Sequence, residues 1–168
     1  MKNFSKLFLM CMTFGVIALA SCKKEEPDPC ASVTCQNGGS CNNGSCSCAS
    51  GYEGATCGTE QRAKFIGTYS TAESCTPGGN FNYTLTVTTS GTGVSNVILN
   101  NFYGVGAIAT ATVSGSSITI PNQIINITGL GAVTASGSGQ ISGNIMTISY
   151  SLVWGTDSDA CTATCTKQ

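Results

Sequence analysis

Eleven cysteines and not one histidine set the chemistry open to this 168-residue chain. Without imidazole, the usual general base, the Ser-His and Cys-His dyads and a common metal ligand are all missing. Six of the cysteines crowd into the stretch from Cys30 to Cys57, spaced C-x4-C-x5-C-x4-C-x-C-x8-C through Cys35, Cys41, Cys46 and Cys48. Thiols this close either hold zinc or close disulfides. The lack of histidine and an export signal upstream weigh against zinc. A 28-residue segment also buries too little apolar surface to offset its chain entropy, so covalent cross-links are expected to hold it.

The carboxylates offer little more. Beyond residue 60 they are Glu73, Asp157 and Asp159 only. Asp157 and Asp159 stand two apart, a spacing that suits a hydrolytic pair or a metal site, but beside a turn they read as solvated. No G-x-S-x-G is present, and Gly104-Val105-Gly106, Gly129-Leu130-Gly131 and Gly137-Ser138-Gly139 lack the third glycine and the following helix of a phosphate loop. They read as turns or bulges. No catalytic residue, no cofactor and no metal site is expected, and the chain reads as a non-enzyme.

The run Cys35-Gln36-Asn37-Gly38-Gly39-Ser40-Cys41, then Cys46-Ser47-Cys48 and Gly51-Tyr52-Glu53-Gly54-Ala55-Thr56-Cys57, resembles an epidermal-growth-factor-like (EGF-like) module over residues 30–58. Spacing alone leaves 15 connectivities open. The resemblance implies Cys30 with Cys41, Cys35 with Cys46, and Cys48 with Cys57. Glycines 38, 39, 51 and 54 suit tight turns, and Tyr52 offers a ring to pack over the last bridge. Many such modules bind calcium through an acidic cluster before the first cysteine. Here Pro27 and Pro29 interrupt Glu25, Glu26 and Asp28, and only Asn42, Asn43, Gly44 and Ser45 separate Cys41 from Cys46, so no specific calcium site is expected.

Lys2 and Lys6 precede an apolar run of 14 residues from Leu7 to Ala20, too short for a permanent span and right for a signal peptide over residues 1–21. Leu19-Ala20-Ser21-Cys22 resembles the lipobox of bacterial lipoprotein precursors, which implies that Cys22 is acylated and becomes the mature N-terminus. The alternative is ordinary cleavage after Ala20. Cysteine parity bears on the choice: losing Cys11 with the signal leaves ten, and acylating Cys22 leaves nine for disulfides. The charged, proline-containing stretch over residues 22–29 reads as a lipidated tether. One acyl chain binds a membrane only marginally, so several are needed for a stable anchor. Lys23 after the acylated cysteine resembles outer-membrane sorting, and Lys23-Lys24-Glu25-Glu26 resembles short charged signals for display at the cell surface.

The elements that must position any site lie in residues 61–168. Between Glu73 and Asp157 there are 83 residues without a charge, rich in Ser, Thr, Gly and Asn. Alternation makes them sheet rather than disorder. Phe81, Tyr83, Leu85 and Val87 share one face, with Asn82, Thr84, Thr86 and Thr88 on the other. The period returns in Val105, Ala107, Ala109, Ala111 and Val113, and in Met146, Ile148, Tyr150, Leu152 and Trp154. Shorter runs follow Val97, Ile118–Ile120 and Ile124–Ile127. Turn residues between them predict an all-β fold, an antiparallel β-barrel or sandwich of eight or nine strands.

Lys64-Phe65-Ile66-Gly67-Thr68-Tyr69 resembles the opening strand of lipocalin-like barrels, in which Gly-x-Trp plugs one end; Tyr69 stands at the tryptophan position. Three more cysteines lie in this domain. Cys75 is expected to pair with Cys161 or Cys165, which share a strand face with Ala163. From Cys22 onward the chain carries five basic and eight acidic side chains with no basic stripe, so no nucleic acid is expected. The aromatic residues Phe81, Tyr83, Phe102, Tyr103, Tyr150 and Trp154 are assigned to the core ahead of a carbohydrate platform. The leading functional reading is a lipid-anchored outer-membrane protein, exposed at the cell surface. It binds an extracellular protein or glycan through an uncharged Ser/Thr/Asn surface, with the EGF-like module as spacer. The alternative is a lipocalin-like barrel carrying a small apolar ligand, with Ala107, Ala109 and Ala111 lining its interior.

Overall fold

A computed structural model describes residues Glu26–Gln168. The signal segment and Cys22 lie outside the described residues. Among those described, no helix is long and apolar enough to cross a membrane.

The small module is two hairpins. Strands β1 (Ser40–Asn42) and β2 (Ser45–Ser47) pair across Asn43-Gly44, both with positive φ (48° and 82°). This is the backbone that a two-residue hairpin turn matching strand twist requires. Strands β3 (Tyr52–Glu53) and β4 (Thr59–Glu60) form the second, so the two residues that follow Gly58 pair back onto the module. The chain then enters a 3-10 turn, Gln61–Lys64, without a linker.

Eight strands follow: β5 (Gly67–Thr76), β6 (Gly79–Thr89), β7 (Asn96–Phe102), β8 (Ala107–Ser114), β9 (Ser117–Ile127), β10 (Gly131–Ser142), β11 (Ile145–Trp154) and β12 (Asp157–Lys167). Each pairs antiparallel with the next, and β12 returns to pair with β5, so the sheet closes into an up-and-down barrel. Closure removes every sheet edge, which suits an uncharged, strand-rich sequence otherwise prone to edge-to-edge pairing.

Strand alternation sorts the residues into an apolar inside and a hydroxyl-rich outside. Ala107, Ala109, Ala111 and Val113 on β8, Met146, Ile148, Tyr150 and Leu152 on β11, and Leu85 and Val87 on β6 are all buried in one core. Thr84 and Thr88, Thr110 and Thr112, and Thr162, Thr164 and Thr166 point outward. Leu85→Ala or Ile148→Ala is therefore expected to cost about 2–5 kcal/mol in denaturant melts, the range for a fully buried aliphatic side chain. Thr84→Ala and Thr86→Ala should stay within about half a kcal/mol. A larger loss for the threonine pair would mean that the register is inverted.

Two stretches depart from simple alternation. The runs at Ile118–Ile120 and Ile124–Ile127 belong to one strand, β9, because an extra residue near Pro121 shifts its register against β10 between Ala135 and Gly137. Proline has no N–H to give a ladder, so a bulge is where a strand accommodates it. The bulge also reverses the inward parity, so Ile120 and Ile125 are both buried while Ile124 is 73% exposed. Val105, expected on the face of Ala107, instead tops the β7–β8 turn between Gly104 (φ 70°) and Gly106 (φ 76°).

Candidate functional site

The two ends of the barrel are built differently. At the proximal end, where β5 begins, the module and the 3-10 turn are seated against the strand connections. Gln61 carries one link, its N–H donating to the Gly51 carbonyl (2.8 Å) while its Oε1 accepts from the Gly115 N–H (3.0 Å). Arg62 is the other. Its guanidinium pairs with Glu60 (2.7 Å) and donates to the carbonyls of Ser90, Gly93 and Asn96 at 2.9, 2.9 and 3.2 Å, closing the β6–β7 loop around it. Lys64 pairs with Glu53 of the module at 2.7 Å. Beneath, Phe65 and Tyr69 are fully buried, the Tyr69 hydroxyl donates to the Phe65 carbonyl (2.8 Å), and the Lys167 ammonium lies 5.9 Å from the Tyr69 ring centre. Burial pushes the Tyr69 hydroxyl up to about 12, so it stays a donor. Sequence reasoning passed over Arg62, although an arginine between the module and the first barrel strand was a visible signal.

The distal end holds buried polar groups, one of which the sequence reads as solvated. Asp159 was expected to be solvated; it is 3% exposed, because it shares the inward parity of Cys161, Ala163 and Cys165 on β12. Glu73 is equally buried on the inward face of β5 with Thr71 and Cys75. Burial of a carboxylate is costly unless donors surround it, and here three tyrosines supply them. Tyr83 (3.2 Å) and Tyr150 both donate to Oε1 of Glu73, while Tyr103 (2.5 Å) and the Gly78 N–H (2.9 Å) donate to the two oxygens of Asp159. Among the described residues, Oε2 of Glu73 and the Thr71 hydroxyl have no partner.

Tyr103 reaches Asp159 from the opposite wall of the barrel, since the β7–β8 turn and β12 face each other in the strand order. Its ring packs on Phe81 with centroids 5.6 Å apart, and the Phe102 and Tyr150 rings meet at 4.5 Å below. Asn101 (φ 61°) and Tyr103 (φ 60°) hold this strap in left-handed backbone, which costs a non-glycine residue about 1–3 kcal/mol. Phe81, Val105 and Leu130, 37, 41 and 40% exposed, rim the same end. Of the six aromatic residues assigned to the core, Phe102 and Tyr150 are buried, whereas Phe81, Tyr83, Tyr103 and Trp154 are only partly covered.

Burial pushes the Glu73 carboxyl above its ordinary 4.5, and the nearby Asp159 charge adds to this, while the hydrogen bonds from Tyr150 and Tyr83 pull it partly back. Burial likewise pushes the Tyr83, Tyr103 and Tyr150 hydroxyls upward, so all three remain proton donors. Above 4.5 the unfolded chain has released a proton that folded Glu73 still holds, so stability should fall as pH rises through the window up to the raised value and level off beyond it. Chemical melts should therefore gain stability as the pH is lowered from the raised value toward 4.5. Glu73→Gln should flatten that dependence, because it removes the group whose proton differs between the folded and unfolded chain. An unchanged slope in the variant would remove Glu73 as its source.

The cysteines fall into place around these sites. Cys30 is bonded to Cys41, Cys35 to Cys46 and Cys48 to Cys57 in the module. Cys75 is bonded to Cys161, its register partner on β12. Cys165 stands opposite Thr71, four register pairs further along, and is free among the described residues. Burial pushes its thiol up to about 11, which makes it a poor nucleophile. Glu73, Cys75 and Cys161 lie within 4.8 Å of one another, but the disulfide uses both sulfurs.

A family model of the EGF-like domain matches residues 29–57. No curated protein matches the chain. Among solved structures, a redesigned beta barrel is similar at 13% identity over 64% of this chain and 95% of that one, with a TM-score of 0.49. A second, EF1p2_mFAP2b bound to DFHBI, is similar at 14% identity over 64% and 98% of the two chains, with a TM-score of 0.48.

Proposed function

We propose that this chain is a non-enzymatic binding protein of the bacterial outer membrane, anchored through acylated Cys22 and displayed at the cell surface. In this reading the tether leads into the EGF-like module, the module caps the proximal end of the barrel, and the distal end meets the partner, a protein or a glycan. The observation that carries it is the asymmetry of the two ends. Charged anchors and a buried Phe65–Tyr69 plug occupy one. Exposed Phe81, Val105 and Leu130 rim the other, and Ile108, Ile124 and Val153 are exposed on the distal halves of their strands, while Ile145 is exposed at the proximal start of β11, on a wall that otherwise carries mainly Ser, Thr, Asn and Gln. Apolar groups gathered at one end of a polar surface are the usual mark of an interaction site.

Two measurements test this. Intact-mass analysis of the wild type should find lipid on Cys22, and Cys22→Ser should leave an unacylated precursor; a mature chain beginning at Ser21 without lipid would sink the anchor. On arrays of glycans and immobilised extracellular proteins, the double variant Val105→Asp/Leu130→Asp should lose capture that Thr84→Ala retains. Equal capture by both variants would move the binding surface elsewhere.

The carrier reading keeps one specific support. The barrel is closed, is plugged at one end by Phe65 and Tyr69, and has Ala107, Ala109 and Ala111 inward, as small interior residues in a ligand-holding barrel would be.

A further inference from the structure

The barrel interior holds two carboxylates and no cation to match them. Among the described residues, the basic side chains Arg62, Lys64 and Lys167 are all committed at the proximal end, to Glu60, Glu53 and the Lys64 carbonyl. Glu73 and Asp159 sit at the distal end, satisfied only by neutral hydroxyls and one backbone N–H. One buried carboxylate oxygen, Oε2 of Glu73, has no partner among the described residues. An unpaired buried acceptor forfeits its full desolvation cost, which a charged donor would recover.

The walls around that oxygen have a matching character. The Tyr83 and Tyr150 hydroxyls donate to Glu73 directly, and Tyr103, with the Phe81 ring tilted against its own, donates to Asp159. Aromatic faces attract cations through their quadrupoles, and a carboxylate framed by rings is the chemistry that recognises substituted ammonium ions. A hard metal fits less well, because calcium needs six to eight oxygens and the sulfurs beside Glu73 are tied in a disulfide.

The geometry points to a binding site for a small organic ammonium ion in the distal mouth, with Oε2 of Glu73 accepting from the ammonium, Tyr83, Tyr103 and Tyr150 as its aromatic walls, and the Tyr103 strap as its gate. The gate follows from the strap itself. Tyr103 crosses the mouth through its hydroxyl contact to Asp159 and its ring contact with Phe81 and is held in left-handed backbone, so the strap is the strained element that has to move for a ligand to enter. This inference rests on the reading of the distal end as the binding end and names the ligand class for it.

The test is calorimetric titration of the purified mature protein with methylamine, phenethylamine and choline, against 2-phenylethanol as a neutral analogue and calcium chloride as the metal alone. At least one ammonium compound should bind about tenfold or more tightly than 2-phenylethanol, and Glu73→Gln should weaken it about tenfold or more with near-UV circular dichroism unchanged. Should Glu73→Gln fail to fold, Tyr103→Ala, which removes a ring from the partly exposed end of the site, should produce the same selective loss. The inference is overturned if no ammonium compound binds by about 10 mM, if the alcohol binds equally well, if Glu73→Gln leaves ammonium affinity unchanged, or if calcium alone binds at Glu73. Its failure is separable from failure of the binding-end reading. Loss of array capture by Val105→Asp/Leu130→Asp with no ammonium binding would leave the distal end as the interaction site and remove only the ligand class.

Discussion

Gly139→Ala is expected to destabilise the barrel by about 3 kcal/mol or more, at the upper end of what overpacking costs, although the change adds one methyl group. Gly139 lies on the inward parity of β10, directly opposite Ile148 of β11, and Gly137 lies opposite Tyr150. A Cβ at Gly139 would come within 2.2 Å of the Thr147 carbonyl oxygen and 2.9 Å of the Ile148 Cα. At Gly137 it would come within 2.4 Å of the Tyr150 Cβ and 2.6 Å of the Ser149 carbonyl oxygen. These neighbours are mostly backbone of the paired strand, so nothing can yield short of prying β10 from β11. The two glycines and the adjacent β9–β10 bulge let the sheet coil tightly enough to close on eight strands, the role that bulges and glycine kinks play in small barrels. Gly143→Asn is the control. Gly143 has φ 57° and open space where a Cβ would stand, and asparagine tolerates that backbone, so its variant should stay within about half a kcal/mol. Urea melts of both variants decide the matter, and a Gly139→Ala as mild as Gly143→Asn would remove the kink from the account of closure.

How much of this was legible in the sequence depends on which physical rule governs each residue. The module was legible because six thiols at that spacing leave a 28-residue segment few ways to be stable. The inward stripe of β11 was legible because Met146 to Leu152 alternate without interruption. Alternation failed where one extra residue resets it. Pro121 is a local sign of a bulge, but that the two runs join in one strand with one extra residue shows only in the pairing with β10, and the parity of Ile124 and Ile125 is inverted with it. The candidate site fell on the wrong side of a competing rule. Asp159 follows a turn, which argues for solvent, but it also shares parity with Cys161 and Cys165, which argues for the interior, and the strand won. The same parity test applied to Cys75 would have placed Glu73 and Thr71 inside. What no parity reveals is that the β7–β8 turn folds Tyr103 across the mouth to Asp159, because 56 residues and half the barrel separate them.

Under mild reduction, the EGF-like module is expected to unfold while the barrel stays intact. The module has no core beyond its bridges. Cys57 is its one fully buried hydrophobic residue, held by Asn37 Nδ2 donating to its carbonyl (2.8 Å) and by the Gln36 N–H donating to Thr56 (2.8 Å). Opening Cys48–Cys57 frees that residue, and loss of one native bridge from so small a domain typically costs about 2–5 kcal/mol. The barrel differs in kind. Cys75–Cys161 joins two strands whose ladder already closes the sheet, and both cysteines are buried, 5 and 3% exposed, so the reductant must wait for the barrel to open. With dithiothreitol and an alkylating agent at neutral pH, the six module cysteines should label first, with Cys75, Cys161 and Cys165 labelling only after urea is added. The contacts of Arg62 with Ser90, Gly93 and Asn96 belong to the barrel end and should survive, so the double variant Cys48→Ser/Cys57→Ser should keep the strand signal in far-UV circular dichroism. If Cys75 and Cys161 were labelled as early as Cys48 and Cys57, the module and barrel would be one cooperative unit, and the module would stabilise the barrel end on which it sits.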